Sequence, residues 1–211
     1  MTGLFITLEG IEGVGKSTCI RYLSSYLKRQ GIPFVITREP GGTPFSEEIR
    51  HLVLHHPTTE TVHSDTELLL LFAARAQHLA EVVLPALAAG FWVLCDRFTD
   101  ASYAYQGGGR GIDKKRIEVL ETWVQEGFRP DMVLLLDAPV KKALHRTRRR
   151  KQLDRIEREE VAFFQRVRRA YLSRAERYPR RYRIIDAARP LSAVKRALQE
   201  IIDPYIVKAK K

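Results

Sequence analysis

The chain has 211 residues, 45% of them hydrophobic, and carries a formal charge of +11 from 36 Lys and Arg against 25 Asp and Glu. That length suits a single packed α/β domain over residues 1–211. Without an 18-residue apolar run or a basic leader with a cleavage site, it is expected to be cytosolic, with neither a membrane span nor a signal peptide. Charge of this sign points to polyanionic partners, nucleotides or nucleic acid, while Cys19 and Cys95 lack metal-ligand spacing and read as reduced core residues.

In chain order, Leu4 to Leu8 reads as a short buried strand, and Gly10 to Ser17 spells GIEGVGKS, a complete G-x-x-x-x-G-K-[ST] phosphate-binding loop. A helix from Ser17 to Gln30 follows, ended by Gly31. Strand, glycine loop and helix therefore stand in the order such a loop needs. Its backbone N–H groups and helix N-terminus would cradle a triphosphate, Lys16 would reach the β- and γ-phosphates, and Ser17 would hold Mg²⁺. Further strands are predicted at Phe34–Thr37, Phe91–Cys95, Met132–Leu136 and Tyr182–Ile185. Helices are predicted at Pro44–His55, Thr66–Ala89, Lys114–Glu126, Val140–Lys151, Glu159–Tyr178 and Leu191–Lys208, with Gly90, Gly127–Pro130 and Pro179 between elements. Alternation of this kind implies an α/β fold of three layers, a five-stranded parallel sheet with helices on both faces.

Ligands of such sheets gather at the carboxyl ends of the strands. There the sequence places Glu9, Arg38 and Glu39, Asp96 and Arg97, and Asp137. Asp96 suits a holder of Mg²⁺, and Arg38 and Arg97 suit phosphate. Asp137 reads either as a metal holder or as the cap of the helix after Pro139, with the cap favoured. Two arginines beyond the phosphate loop imply a second anion, and so phosphoryl transfer. In Glu67–Leu79, Arg75 shares a helix face with Leu71 and Phe72, which allows an apolar cover for a base and a donor at its edge. The plain alternative makes the apolar residues a core stripe and Arg75 a surface residue. All six histidines, His78 included, read as structural.

GIEGVGKST, TREPGGT (Thr37–Thr43), FAARAQH (Phe72–His78), CDRFTDASYAYQGGGRG (Cys95–Gly111) and LDRIE (Leu153–Glu157) together resemble the bacterial thymidylate kinases, within the nucleoside monophosphate kinases. The resemblance runs from about Leu4 to the end. It implies a P-loop NTPase-type fold with a helical lid at about 145–157, transfer of the ATP γ-phosphate to dTMP, Mg²⁺ as cofactor and a homodimer built on helix faces.

Carried onto this chain, the resemblance gives ATP the loop residues Gly10, Ile11, Glu12, Gly13, Val14, Gly15, Lys16, Ser17 and Thr18 with Arg148 and Arg150 of the lid. It gives dTMP Glu12, Arg38, Phe72, Arg75, Arg97, Ser102, Tyr103, Tyr105 and Gln106. Lys16, Arg97 and a lid arginine, Arg150 ahead of Arg148, would act in catalysis, because Val14 leaves the loop without an arginine. Ser17, Asp96 and Glu157 would serve the metal. Leu71 stands where the family often has its base-stacking aromatic, so either Leu71 or Phe72 covers the base. The rival readings are a kinase for another acceptor, a nucleic-acid-binding P-loop protein and a nucleotide switch without transfer.

Overall fold

A computed structural model describes residues 3–55, 61–147 and 154–210. Strands β1 (Phe5–Glu9), β2 (Phe34–Arg38), β3 (Trp92–Asp96), β4 (Met132–Asp137) and β5 (Tyr182–Asp186) form one all-parallel sheet in the order β2-β3-β1-β4-β5. The three central strands are near-continuous apolar runs because helices cover both faces. Alternation still sorts the side chains: Ile6, Leu8, Trp92 and Leu94 enter the main core, whereas Phe5, Val93 and Cys95 join Leu79, Val83 and Phe98 on the other face.

Each strand ends one residue later than its apolar run, on a charged residue. Leu8 and Arg38 both register with Asp96, and Asp137 registers with Asp186, so ladder pairing carries these side chains to the rim as part of the sheet. Charge at this edge is positioned by the hydrogen-bonded ladder of the sheet.

The helices are α1 (Lys16–Arg29), α2 (Pro44–His55), α3 (Ser64–His78), α4 (Leu84–Ala88), α5 (Thr99–Ser102), α6 (Lys114–Gln125), α7 (Val140–Thr147), α8 (Val161–Arg177) and α9 (Leu191–Ala209). The expected Thr66–Ala89 helix is α3 and α4 joined by a π-helical turn, Leu79–Val83. This Ser64–Ala88 rod is long and apolar enough to cross a membrane by length and composition. In the fold it is a packed element that buries Glu67, Arg75 and His78. Sequence patterning assigns no element to α5 or to the π-helical stretch Tyr103–Gly109 that follows it, whose three successive glycines (Gly107–Gly109) carry little helix propensity. Those glycines admit α8: a Cβ at Gly108 would lie 2.6 Å from the Ala170 Cβ. Cys19 and Cys95 are free and buried, as expected.

Candidate active site

The phosphate loop connects β1 to α1. Gly10 has φ 130°, and a Cβ there would stand 2.3 Å from the Leu136 carbonyl oxygen, so only glycine lets the loop leave the sheet at this angle. Lys16 Nζ donates to the carbonyls of Gly10 (3.1 Å) and Ile11 (3.2 Å). Burial lowers the Lys16 pKa, and the Arg97 charge lowers it further. No acidic residue lies in the first turn of α1, so its positive end is left for a ligand.

Arg97 follows β3 with φ 72°, a left-handed conformation uncommon outside glycine and held here by its partners. Its Nη1 donates to the Gly10 carbonyl (2.8 Å) and the Tyr171 hydroxyl (3.1 Å), its Nη2 donates to Glu12 Oε1 (2.7 Å), and its guanidinium lies 4.7 Å from the Tyr105 ring centre. Tyr105 donates its hydroxyl to both Glu12 oxygens, at 2.8 and 2.7 Å. Burial pushes the Tyr105 hydroxyl well above the usual phenol range, so it remains a donor. Behind them, Glu9 accepts from the Phe98 N–H and the Tyr171 hydroxyl, each at 2.7 Å. Its pKa is pushed up to about 8, first by burial and then by the nearby Asp100 charge.

A second buried network fixes Arg75. Thr37 Oγ1 bonds His78 Nε2 (2.6 Å), His78 Nδ1 bonds Glu39 Oε1 (3.0 Å), Glu39 Oε2 accepts from Arg75 Nε (2.8 Å), and Arg75 Nη2 donates to Ser102 Oγ (3.0 Å). Arg75 Nη1 is buried without a partner among the described residues. A guanidinium so held presents one spare donor nitrogen, Nη1. His78 is thus more than core filler: it bonds β2 and the carboxylate that orients Arg75.

These groups surround one cleft of about 660 Å³, lined by Glu12 to Thr18, Arg38, Leu71, Arg75, Asp96, Arg97, Ser102, Tyr105, Gln106 and Glu157. Gly10 and Ile11 sit behind its wall and serve through their carbonyls. Arg38 is half exposed and paired with Glu47 at 2.7 Å, and that bond holds the Glu47 carboxyl below the usual range. Gln106 donates to Glu67 at 2.7 Å. Asp96 Oδ1 is buried with no partner among the described residues. Glu157 accepts from the Asp154 N–H. Arg148 and Arg150 lie outside the described residues.

Three expectations are corrected. Phe72 is 2% exposed in a core cluster with Leu68, Tyr103, Ile112 and Ile117, and it underlies the Arg75 guanidinium at 4.4 Å, so Leu71 is the helix residue on the cleft wall. Tyr103 belongs to the same cluster and donates its hydroxyl to Glu121, because the π-helical backbone turns it away while presenting Tyr105 and Gln106. Asp137 does not cap α7; both its oxygens take Arg168, at 2.6 and 2.7 Å. Sequence reasoning missed Arg50 and Arg189 on the cleft wall and the pairing of Glu9 with Tyr171, while Arg146, in the expected lid segment, also lines the cleft. Nothing in spacing marks a tyrosine 74 residues downstream as a partner of Arg97.

A phosphate loop at the strand ends, faced across one cleft by the buried Arg75 and the partly buried Arg97, defines a P-loop nucleotide-binding protein. The thymidylate kinase family model matches residues 8–198. The chain is 58% identical over 202 residues to a thymidylate kinase of Pseudomonas entomophila, covering 96% of each, and 55% identical over 210 residues to one of Pseudomonas fluorescens, covering all of both. A crystal structure of the thymidylate kinase from Ehrlichia chaffeensis aligns with a TM-score of 0.78 at 30% identity, covering 97% of this chain and all of that one. The chain belongs to the thymidylate kinase family, and so to the phosphotransferases.

Proposed function

We propose that the protein transfers the γ-phosphate of ATP to dTMP, giving dTDP and ADP, with the triphosphate on the loop and dTMP between Arg97 and Arg75. The observation that carries this reading is the spare Nη1 of the buried Arg75, in the same cleft as the phosphate loop and on the wall shared with Leu71, Ser102 and Gln106. It supplies a donor for a base carbonyl, and Leu71 supplies the apolar cover. Arg97 and Arg38 take the acceptor phosphate, and Tyr105 with Glu12 faces the deoxyribose.

The acceptor oxygen is already ionised near neutral pH and needs no base. What opposes reaction is like charge: two unit charges about 4 Å apart repel by roughly 4 kcal/mol at an effective dielectric near 20. Lys16, Arg97 and a lid arginine, Arg150 ahead of Arg148, offset that repulsion and stabilise the transferring group. Ser17 and Asp96, with Glu157 nearby, would hold Mg²⁺, which lowers the charge of the triphosphate when bound. Among the described residues no three His, Cys, Asp or Glu form a cage. The buried, unpartnered Asp96 Oδ1 fits an ion held by one or two carboxylates plus phosphates.

The 1–211 chain works as one domain with its lid at about 145–157, and acts on mononucleotides rather than on nucleic acid. Among the described residues of the basic half, several arginines are engaged by carboxylates, Arg168 by Asp137, Arg174 by Asp100 and Arg155 by Glu67, which interrupts a phosphate-tracking stripe there. A cytosolic location fits the two free cysteines. A homodimer fits two exposed apolar features on packed helices, the line Leu69, Ala73, Ala76, Ala80 and Leu84, and Val119 with Trp123 of α6, the last 77% exposed. Comparing phosphorylation of dTMP, dUMP, dCMP and thymidine tests the assignment: dTMP is expected to be the preferred acceptor, and preference for another contradicts it.

A further inference from the structure

We propose that Tyr171, itself held by Glu9, is a positioning residue for Arg97 in binding the acceptor phosphate; the inference rests on the reading of Arg97 as the grip on dTMP. The two ends of the Arg97 guanidinium are held differently. Nη1 is anchored on the Gly10 carbonyl and the Tyr171 hydroxyl, while Nη2 is held by Glu12, a side chain of the phosphate loop. An incoming phosphate can take Nη2 in exchange for Glu12 without disturbing the Nη1 anchor.

The polarity of that anchor is set from behind. Tyr171 has one hydroxyl proton, and it is committed to Glu9 Oε2 at 2.7 Å, so oxygen lone pairs face Arg97 Nη1 at 3.1 Å. The other Glu9 oxygen accepts from the Phe98 N–H, which pins the main chain beside the left-handed Arg97. The Glu9 carboxyl group therefore fixes both the backbone and, through Tyr171, the side chain of the grip. Tyr171 is 1% exposed and packs edge-on against Tyr105 at 6.2 Å, the ring over which Arg97 lies. The hydroxyl can be removed without opening this packing.

Calorimetric titration of the full chain with dTMP and with thymidine, which lacks the phosphate, separates positioning from general support. Tyr171→Phe is expected to weaken dTMP about ten-fold while changing thymidine less than about two-fold. With the titrations run above pH about 8, where the Glu9 carboxyl is ionised, Glu9→Gln keeps an acceptor for Phe98 but puts an N–H toward Tyr171 in place of a carboxylate oxygen, so the hydroxyl proton is driven toward Arg97, and the same phosphate-selective loss is expected. Equal weakening of dTMP and thymidine by either variant, or unchanged dTMP affinity in both, overturns the inference. A wild-type protein that binds no dTMP removes the functional reading beneath it, an outcome distinct from either.

Discussion

Glu39 Oε2 accepts from Arg75 Nε at 2.8 Å, with the two side chains only 4% and 3% exposed. A pair so enclosed is costly to break from one side, because the remaining guanidinium keeps its charge. Glu39→Ala is expected to lower stability by about 3–5 kcal/mol, measured by denaturant unfolding. Loss of less than about 1 kcal/mol would mean that Arg75 finds solvent or another partner.

Phe72 and Leu71 are neighbours in sequence with separate duties. Phe72→Ala is expected to cost about 3–5 kcal/mol of stability, since it opens a cavity in the cluster beneath Arg75. Leu71→Ala is expected to weaken dTMP several-fold with a smaller change in melting temperature. The reverse pattern would put Phe72 on the base.

Lys16→Met is expected to cut transfer by about a hundredfold or more, while dTMP affinity changes less than about two-fold. Steady-state rates and a dTMP titration check the division. A parallel loss of dTMP binding would show that the loop and the acceptor pocket are not separable.

Glu9 gives the fold a pH dependence of known sign. Its folded pKa of about 8 lies above the ordinary carboxyl value of 4.5, so the folded protein holds a proton that the unfolded chain releases. Its contribution is full below about 4.5 and is lost as pH rises toward about 8. The melting temperature of wild type relative to Glu9→Gln is therefore expected to fall across that window. A flat difference would mean that Glu9 is ionised throughout.

Leu69→Glu combined with Trp123→Glu is expected to give a particle of the 24.3 kDa chain mass in light scattering, against twice that for wild type. Both residues are exposed on adjacent helices, and neither lines the cleft. A wild-type monomer would contradict the proposed dimer.

Much of this was legible in the chain because strand periodicity and the phosphate loop are local signals. Gly10 to Ser17 and the charged residues after each apolar run lie at the sheet edge where patterning put them. What escaped depends on long-range partners. Whether Asp137 caps a helix or takes Arg168 is decided by α8, thirty-one residues away, and Tyr103 turns inward because a π-helical backbone breaks the 3.6-residue period. Glu9 and Tyr171 carry no spacing that links them. His78 reads as an ordinary core histidine until Thr37 and Glu39 are seen on either side of its ring.

In the proposed reaction, phosphate passes from a nucleotide on the loop to a monophosphate held by Arg97 and Arg75. A coupled assay of ADP release in ATP and Mg²⁺ reads this directly. ADP formation that rises and saturates with added dTMP is the predicted result. A rate that is the same with and without dTMP would contradict it.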